Sequence, residues 1–332
     1  MNDTVCPLHL VPGDPRHGVA IYARQVARIC GAVVSDAPPG PRTVAVGPVH
    51  LHFTDRIWGD SPEAAAAAIE ALATQHSVSV TLHDLPRPSD GPLNHPRRAD
   101  CYRRVAAASR GIVCNSHHEA ALLREVLGPL TGRSPAIIPL PVVAAPRTAG
   151  RPRPRSEVAL LGFIYPGKGH LQAIEAVART RGLDPEKPAV VALGTTSPGH
   201  AAETDALRVR ADELGVRFSV SGYLNDEELI DRCRRAAVPL AAHRQISASG
   251  SIGTWIAAGR RPLVADSRYA REIDVLRPGT VYRYPANELS GAIAGALIDP
   301  ACTWLGDDAV LAPDLADVAS AYVHWWTRRV CW

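Results

Sequence analysis

The chain has 332 residues, more than one hydrophobic core usually spans and enough for two domains. With 46% hydrophobic and 21% charged residues it carries enough apolar surface to fold, which excludes wholesale disorder. A formal net charge of +3, spread without a basic block, excludes a dedicated nucleic-acid binder.

In chain order, short apolar runs alternate with segments of helical period, the pattern of parallel α/β layers. In the first half, strands are expected at 44–46, Val49–Phe53, Val78–Leu82 and Gly111–Cys114, with helices near 18–30, 61–75, 97–109 and 117–127. Ser61-Pro62-Glu63 supplies an N-cap serine and a proline at the first helical position. A stretch at 144–155, rich in Pro, Gly and Arg and without apolar period, reads as a linker. The second half restarts with strands at 158–161, 190–193, 217–220, 238–240 and 262–264 and helices near 168–181, 201–214, 226–236 and 251–258. A last helix runs over 315–330, with Tyr322, Trp325 and Trp326 spaced to pack on another surface. Two Rossmann-like parallel-sheet domains, 1–144 and 157–312, are therefore expected on either side of a cleft, joined by 145–156 and followed by 313–332. Ligands in such sheets bind at the carboxyl ends of the strands, so the strand-to-helix loops are where chemistry is expected.

No apolar run approaches the roughly 18 residues of a membrane span, and the Met1 end lacks a charged-then-apolar leader. The seven cysteines contain no Cys-x-x-Cys pair, so neither a zinc site nor a disulfide framework is expected. A reduced, soluble, cytoplasmic protein follows from these features. Only two of the 36 basic residues are lysines, Lys168 and Lys187, which draws attention to Lys168; Lys187 lies in a turn-like Pro-rich stretch.

Four loops stand out. Gly162-Phe163-Ile164-Tyr165-Pro166-Gly167-Lys168-Gly169-His170 follows a buried strand and precedes a helix, and backbone amides at a helix start plus a lysine make an anion site. The string matches G-x-x-x-x-G-K, yet Gly169 stands where a P-loop has Ser or Thr, and Pro166 removes an amide. A phosphate site of another kind is the stronger expectation, with a plain structural turn as the bland one. Ile246-Ser247-Ala248-Ser249-Gly250-Ser251-Ile252-Gly253 opens the helix near 251–258, suited either to a phosphate or sugar close to the backbone or to ordinary N-capping by a serine. His83, followed by Asp84, stands at the carboxyl end of a strand, where it can contact a sugar. Gly18 opens the first helix and either admits a ligand or merely starts the helix.

The order of these loops resembles the retaining family-4 type of GT-B glycosyltransferase, the bacterial enzymes that use nucleotide-sugar donors. The pieces are the Gly18 loop, Val80-Thr81-Leu82-His83-Asp84, Ile112-Val113-Cys114-Asn115-Ser116, Ile137-Ile138-Pro139, Gly162 through Gly169, Ser221-Gly222-Tyr223-Leu224 followed by Asp226-Glu227-Glu228-Leu229, and Ala257-Ala258-Gly259-Arg260-Arg261-Pro262-Leu263-Val264. The resemblance covers residue 12 to the end and implies an acceptor-binding first domain, a donor-binding second domain and a final helix that crosses back to the first. It implies that Lys168 lies on the donor diphosphate and that His83, the catalytic candidate, faces the transferred sugar. Gly222, Tyr223 and Leu224 would border the base, and Ser249, Gly250 and Ser251 would meet the phosphate or sugar; Gly18 would also serve the donor. Asp84, Arg244 and Glu272 are additional candidates. Two departures stand out: Phe163-Ile164-Tyr165 occupies the place of the family's arginine, and Ile246 and Thr254 replace the Glu-x7-Glu pair.

The expected activity is hexosyl transfer from a nucleoside-diphosphate sugar to a carbohydrate, lipid-linked or small-molecule acceptor. Retention is expected, with no metal and no cofactor beyond the donor. The alternatives are a non-catalytic nucleotide-sugar or glycan binder on the same scaffold, a P-loop-like phosphotransferase, and a nucleotide-sugar isomerase or epimerase using Asp84 and Glu272. Arg97, Arg98, Arg103 and Arg104 either offer a peripheral contact to anionic lipid or are simply solvated.

Overall fold

The computed structural model describes residues 6–38, 47–128, 134–146, 150–180, 188–243, 245–246 and 248–332. The strand expected at 44–46, and Arg244, Lys187 and Ser247, lie outside the described residues. The chain divides into two compact units, Met1–Pro141 with Pro313–Trp332, and Val142–Ala312.

The first unit runs β1 (Leu8–Leu10), α1 (Gly18–Cys30), β2 (Val34–Ser35), β3 (Val49–Phe53), α2 (Asp55–Trp58), α3 (Pro62–Ala73), β4 (Val78–Leu82), α4 (Gly91–Ala108), β5 (Gly111–Cys114), α5 (His117–Leu127) and β6 (Ala136–Ile137). α12 (Leu315–Arg328) belongs to it as well. The sheet order is β2-β1-β3-β4-β5-β6 and every described pairing is parallel. Successive strand residues face opposite sides. Leu51 and Phe53 of β3 therefore pack with Val80 and Leu82 against Ile69 of α3 and Tyr102 and Val105 of α4. The other face is polar: the register sets His9 beside His50, His50 beside Ser79 and His52 beside Thr81. There the cover comes from Tyr22 and Val26 of α1 and Tyr322, Trp325 and Trp326 of α12.

The second unit runs β7 (Arg155–Leu161), α6 (His170–Arg179), β8 (Ala189–Leu193), α7 (Ala201–Leu214), β9 (Phe218–Val220), α8 (Asp226–Arg235), β10 (Ala236–Ala241), α9 (Gly250–Ala257), β11 (Leu263–Ala265), α10 (Arg268–Leu276), β12 (Tyr282–Tyr284) and α11 (Leu289–Ile298). Its order, β12-β11-β10-β7-β8-β9, is also parallel throughout the described pairings. Pro239 sits inside a central strand in regular register with Ala159 of β7, and a register irregularity precedes it between Ala236 and Val238. The core of this sheet is Val158, Leu160, Val190, Val238 and Leu240 under Ile174 and Ile293.

The expected helix over 97–109 begins earlier, at Gly91, because Pro92 occupies a starting position and Pro96 is absorbed inside. Several short elements, β1, β2, α2, β12 and α11, lie beyond what periodicity shows; α10 is strongly amphipathic, with Tyr269, Ala270 and Ile273 buried, but is not among the expected helices. All seven cysteines are free. Among the described residues no helix is long and apolar enough to cross a membrane. The four arginines of α4 each meet a carboxylate: Arg97 pairs with Glu63, Arg98 with Asp55 and Asp90, Arg103 with Asp100 and Arg104 with Glu70.

Candidate functional site

In the second unit β7, β8 and β9 run outward to one side and β10, β11 and β12 to the other. The strand order therefore reverses between β7 and β10. Outside the carboxyl ends of the strands at such a switch point, open α/β sheets bind their ligands. The loop that follows β7 is the Lys168 loop. It is laced to the loop after β8: Gly162 N–H donates to Leu193 O at 2.9 Å, Ile164 N–H to Thr195 O at 2.9 Å and Ser197 N–H to Ile164 O at 3.0 Å. Gly194 packs so closely on Gly162 that a Cβ there would lie 2.3 Å from the Gly162 carbonyl oxygen. At the far end, Gly169 has φ +102°, and a Cβ would lie 2.3 Å from the carbonyl oxygen of Ala242, just past β10. A serine or threonine at 169 would collide with that backbone, so this loop cannot carry the metal-binding hydroxyl of a P-loop.

Lys168 is 6% exposed. Its ammonium lies against Gly162 and donates to His243 Nε2 at 2.5 Å. Among the described residues it has no carboxylate partner, and burial lowers its pKa to about 7. His170, the first residue of α6, is buried, and neither ring nitrogen has a hydrogen-bond partner among the described residues. Burial, reinforced by the Lys168 charge, lowers it to about 3. Burial also holds His243 well below the usual histidine range, with Lys168 and His170 adding to the effect. The cluster is one ammonium, partly charged near neutrality, beside two neutral imidazoles. Such a group gains from an anion that supplies the missing negative charge.

α9 begins on the Ser249 N-cap, whose hydroxyl accepts from Ile252 N–H at 3.4 Å and bonds Ser251 Oγ at 2.9 Å. Ser249 N–H donates to the Tyr269 hydroxyl at 3.2 Å. The amides of Gly250 and Ser251 have no partner among the described residues, and the space beside Gly250 is open. An anion is stabilised at such a terminus. Thr254 donates its hydroxyl to Gly250 O at 3.0 Å, so its proton is committed inside the helix. After β9, Ser221 Oγ accepts from Gly194 N–H at 3.0 Å and donates to Gly222 O at 2.8 Å. Tyr223 is 77% exposed, while Leu224 packs on the cluster of Cys233 and Trp255. Glu272 is half-buried on α10.

In the first unit the switch point lies between β1 and β3, with His83 after β4 next to it. Gly18 is exposed at the start of α1, capped by His17 Nδ1, with open space around it. His83 is 7% exposed and shares a 3.1 Å hydrogen bond between its Nε2 and His52 Nδ1, the two rings stacked. Its backbone is pinned: His83 N–H donates to Phe53 O at 2.8 Å, and the Tyr102 hydroxyl donates to His83 O at 2.6 Å. Asp84, exposed, is the one described non-glycine residue with positive φ, +49°. Arg98 donates to its carbonyl at 2.7 Å while forking onto Asp55 at 2.9 Å through both nitrogens. Burial lowers His83 to about 4 against the opposing pull of Asp84. It is therefore a neutral hydrogen-bonding ring at physiological pH and not a proton donor charged in advance.

Each unit thus gathers its named residues on one edge of its own sheet. Sequence reasoning placed His170 at the end of the Lys168 loop without giving it a role, and missed His243 beside Lys168 and the Asp55–Arg98–Tyr102 support behind His83. The histidine that ends the buried run Ala236–Ala241 was the available signal for the first; the second set joins residues 14 to 43 positions apart and leaves no local trace.

No protein-family model matches the chain and no curated protein matches it by sequence. Solved structures do. HepE of Anabaena, in complex with UDP-glucose, is similar over 96% of this chain and 94% of its own, with a TM-score of 0.64 and 13% identity. Sucrose-phosphate synthase of Thermosynechococcus elongatus matches over 97% and 96% with a TM-score of 0.68 and 15% identity. A glycosyltransferase of Rickettsia africae matches over 96% and 92% with a TM-score of 0.61 and 14% identity. At such identities the likeness is one of fold: two parallel-sheet α/β units of the GT-B glycosyltransferase type.

Proposed function

We propose that the chain is a glycosyltransferase that moves a hexose from a nucleoside-diphosphate sugar to a carbohydrate, lipid-linked or small-molecule acceptor, with retention and without a metal. The observation that carries this reading is Lys168, a buried ammonium at a switch point with no carboxylate partner among the described residues. A buried cation without a partner is unfavourable until a ligand supplies the opposite charge, and a diphosphate suits the glycine backbone around it. The fold shared with HepE, solved with UDP-glucose, supports the same donor class.

In this reading Lys168 and the amides of Gly250 and Ser251 hold the diphosphate oxygens, with the hydroxyls of Ser249 and Ser251 beside them. Gly222, Tyr223 and Leu224 border the base. Thr254 contacts the ribose more weakly than a carboxylate would. As the bond from the sugar C1 to the phosphate oxygen breaks, negative charge builds on the leaving diphosphate, and fixed amides with the ammonium stabilise it. The acceptor hydroxyl attacks the face that the diphosphate leaves and passes its proton to a leaving-group oxygen. His83, uncharged, hydrogen-bonds the transferred sugar, and Gly18 leaves the first helix start open to the donor.

A thermal-shift series with UDP, GDP and ADP in EDTA tests the reading, since a ligand that binds the native state raises Tm. At least one diphosphate is expected to stabilise the protein, and Lys168→Ala to abolish the shift. The matching nucleotide sugar should then lose its sugar to water or to an acceptor. Binding with neither hydrolysis nor transfer would favour the non-catalytic binder, and strict magnesium dependence of ATP binding would favour the phosphotransferase.

A further inference from the structure

We infer that His243 is a positioning residue for the anion site: its neutral imidazole accepts a hydrogen bond from Lys168 and holds the ammonium against Gly162, leaving two ammonium protons for a diphosphate. The inference rests on the diphosphate reading for its ligand, while the pairing itself stands on geometry.

An ammonium only donates, so the 2.5 Å contact requires a lone pair on His243 Nε2 and places the ring proton on Nδ1, which is buried and has no hydrogen-bond partner among the described residues. Both partners are set by one backbone contact. Gly169 follows Lys168, Ala242 precedes His243, and Gly169 is pressed on the Ala242 carbonyl. The loops after β7 and β10 therefore cannot move apart without separating the pair. The other groups facing the ammonium are His170 of α6, whose ring nitrogens have no hydrogen-bond partner among the described residues, and the Tyr165 ring at 6.0 Å. No carboxylate among the described residues shares the task.

The consequence is a proton linkage. A neutral acceptor favours the charged lysine and opposes burial, which has brought it to about 7. A bound diphosphate completes the charge, so binding above about pH 7 takes up a proton at Lys168. Without His243 the lysine is charged less of the time, and anion affinity falls most where the lysine is already losing its proton.

Lys168 and Lys187 are the only lysines, so the full chain labelled at the lysine ε-carbon gives two resonances, assigned with Lys187→Arg. The Lys168 resonance is expected to titrate near pH 7, well below the ordinary lysine value of about 10.4. His243→Leu should lower that midpoint by about one unit, and His243→Gln, which keeps a carbonyl acceptor, should restore it. Affinity for inorganic pyrophosphate, by calorimetry, should fall about tenfold near pH 8 and about twofold near pH 6 in His243→Leu, with recovery in His243→Gln. A Lys168 resonance that titrates at the ordinary lysine value of about 10.4 in the unsubstituted protein, or is unmoved by His243→Leu, overturns the inference. Failure of that protein to bind either pyrophosphate or UDP overturns the diphosphate reading, and the titration alone then decides the pairing.

Discussion

Gly169 and Ala242 touch through their backbones, and this contact joins the two central loops of the second unit. With φ at +102° and a would-be Cβ 2.3 Å from a carbonyl oxygen, position 169 admits no side chain unless one loop shifts. Gly169→Ala should therefore cost about 2–4 kcal/mol, combining strained backbone with a collision that no rotamer relieves. The check is a urea midpoint followed by tryptophan fluorescence, with UDP affinity measured below that midpoint. A variant with an unchanged midpoint would mean that the loops are not held together as described.

Replacing Lys168 by Met tests the same site from the side of charge. Its native pKa of about 7 lies below the value of an unfolded lysine, so between the two the unfolded chain binds more protons than the native one. Stability of the ligand-free protein should accordingly rise with pH from about 7 to about 10 on account of this group. Lys168→Met removes that slope, is more stable than the parent at neutral pH, and loses UDP binding. Parallel stability curves for the two proteins over this range would contradict a buried, charge-bearing Lys168.

Much of this site is written in the sequence, though unevenly. The rarity of lysine singles out Lys168, and Gly169 directly after it marks a place where backbone approaches backbone. His243 has no such mark, because it lies 75 residues away and meets Lys168 only through the pairing of β7 with β10. Strands buried on both faces, such as β4, are legible from an unbroken run of small and branched residues. β1 is not, since it is three residues long and its central residue is a histidine, set among other histidines on the polar side of the sheet. Buried polar faces defeat the rule that interior residues are apolar.

Arg260 is a buried charge of the second unit with no acidic partner among the described residues. At 1% exposure its guanidinium donates to the carbonyls of Cys233, Arg234, Ala236, Ala237 and Thr303 and to Thr303 Oγ1, and it stacks 4.4 Å over Trp304. These bonds tie the end of α8 and the start of β10 to the turn after α9. Arg260→Met strips the carbonyls of their donor and should cost about 3–5 kcal/mol. Arg260→Lys recovers only part of this, because an ammonium has three donors and no planar fork. Thermal unfolding separates the three proteins, and equal Tm values would show that water replaces the guanidinium freely.

The buried histidines of the first unit set an acid limit. His9 is lowered to about 3 and His83 to about 4, each chiefly by burial, and His50 and His52 lie well below the usual range for the same reason. An unfolded histidine titrates near 6.5, so below that pH the unfolded chain binds protons that the native unit refuses. Stability should thus fall as pH drops from about 6.5 towards 4, losing about 1.4 kcal/mol per unit for each such histidine. His9 is the cleanest to remove, because neither ring nitrogen has a hydrogen-bond partner among the described residues and its ring packs edge-on against Trp326 at 5.4 Å. His9→Phe takes one proton out of this linkage and two unsatisfied nitrogens out of the core, so it should stabilise the unit by about 1–2 kcal/mol at neutral pH. It should also move the acid-unfolding midpoint, followed by circular dichroism, to lower pH. A midpoint moved upward would mean that His9 is hydrogen-bonded in solution, through buried water, and that its neutrality is not what limits the fold.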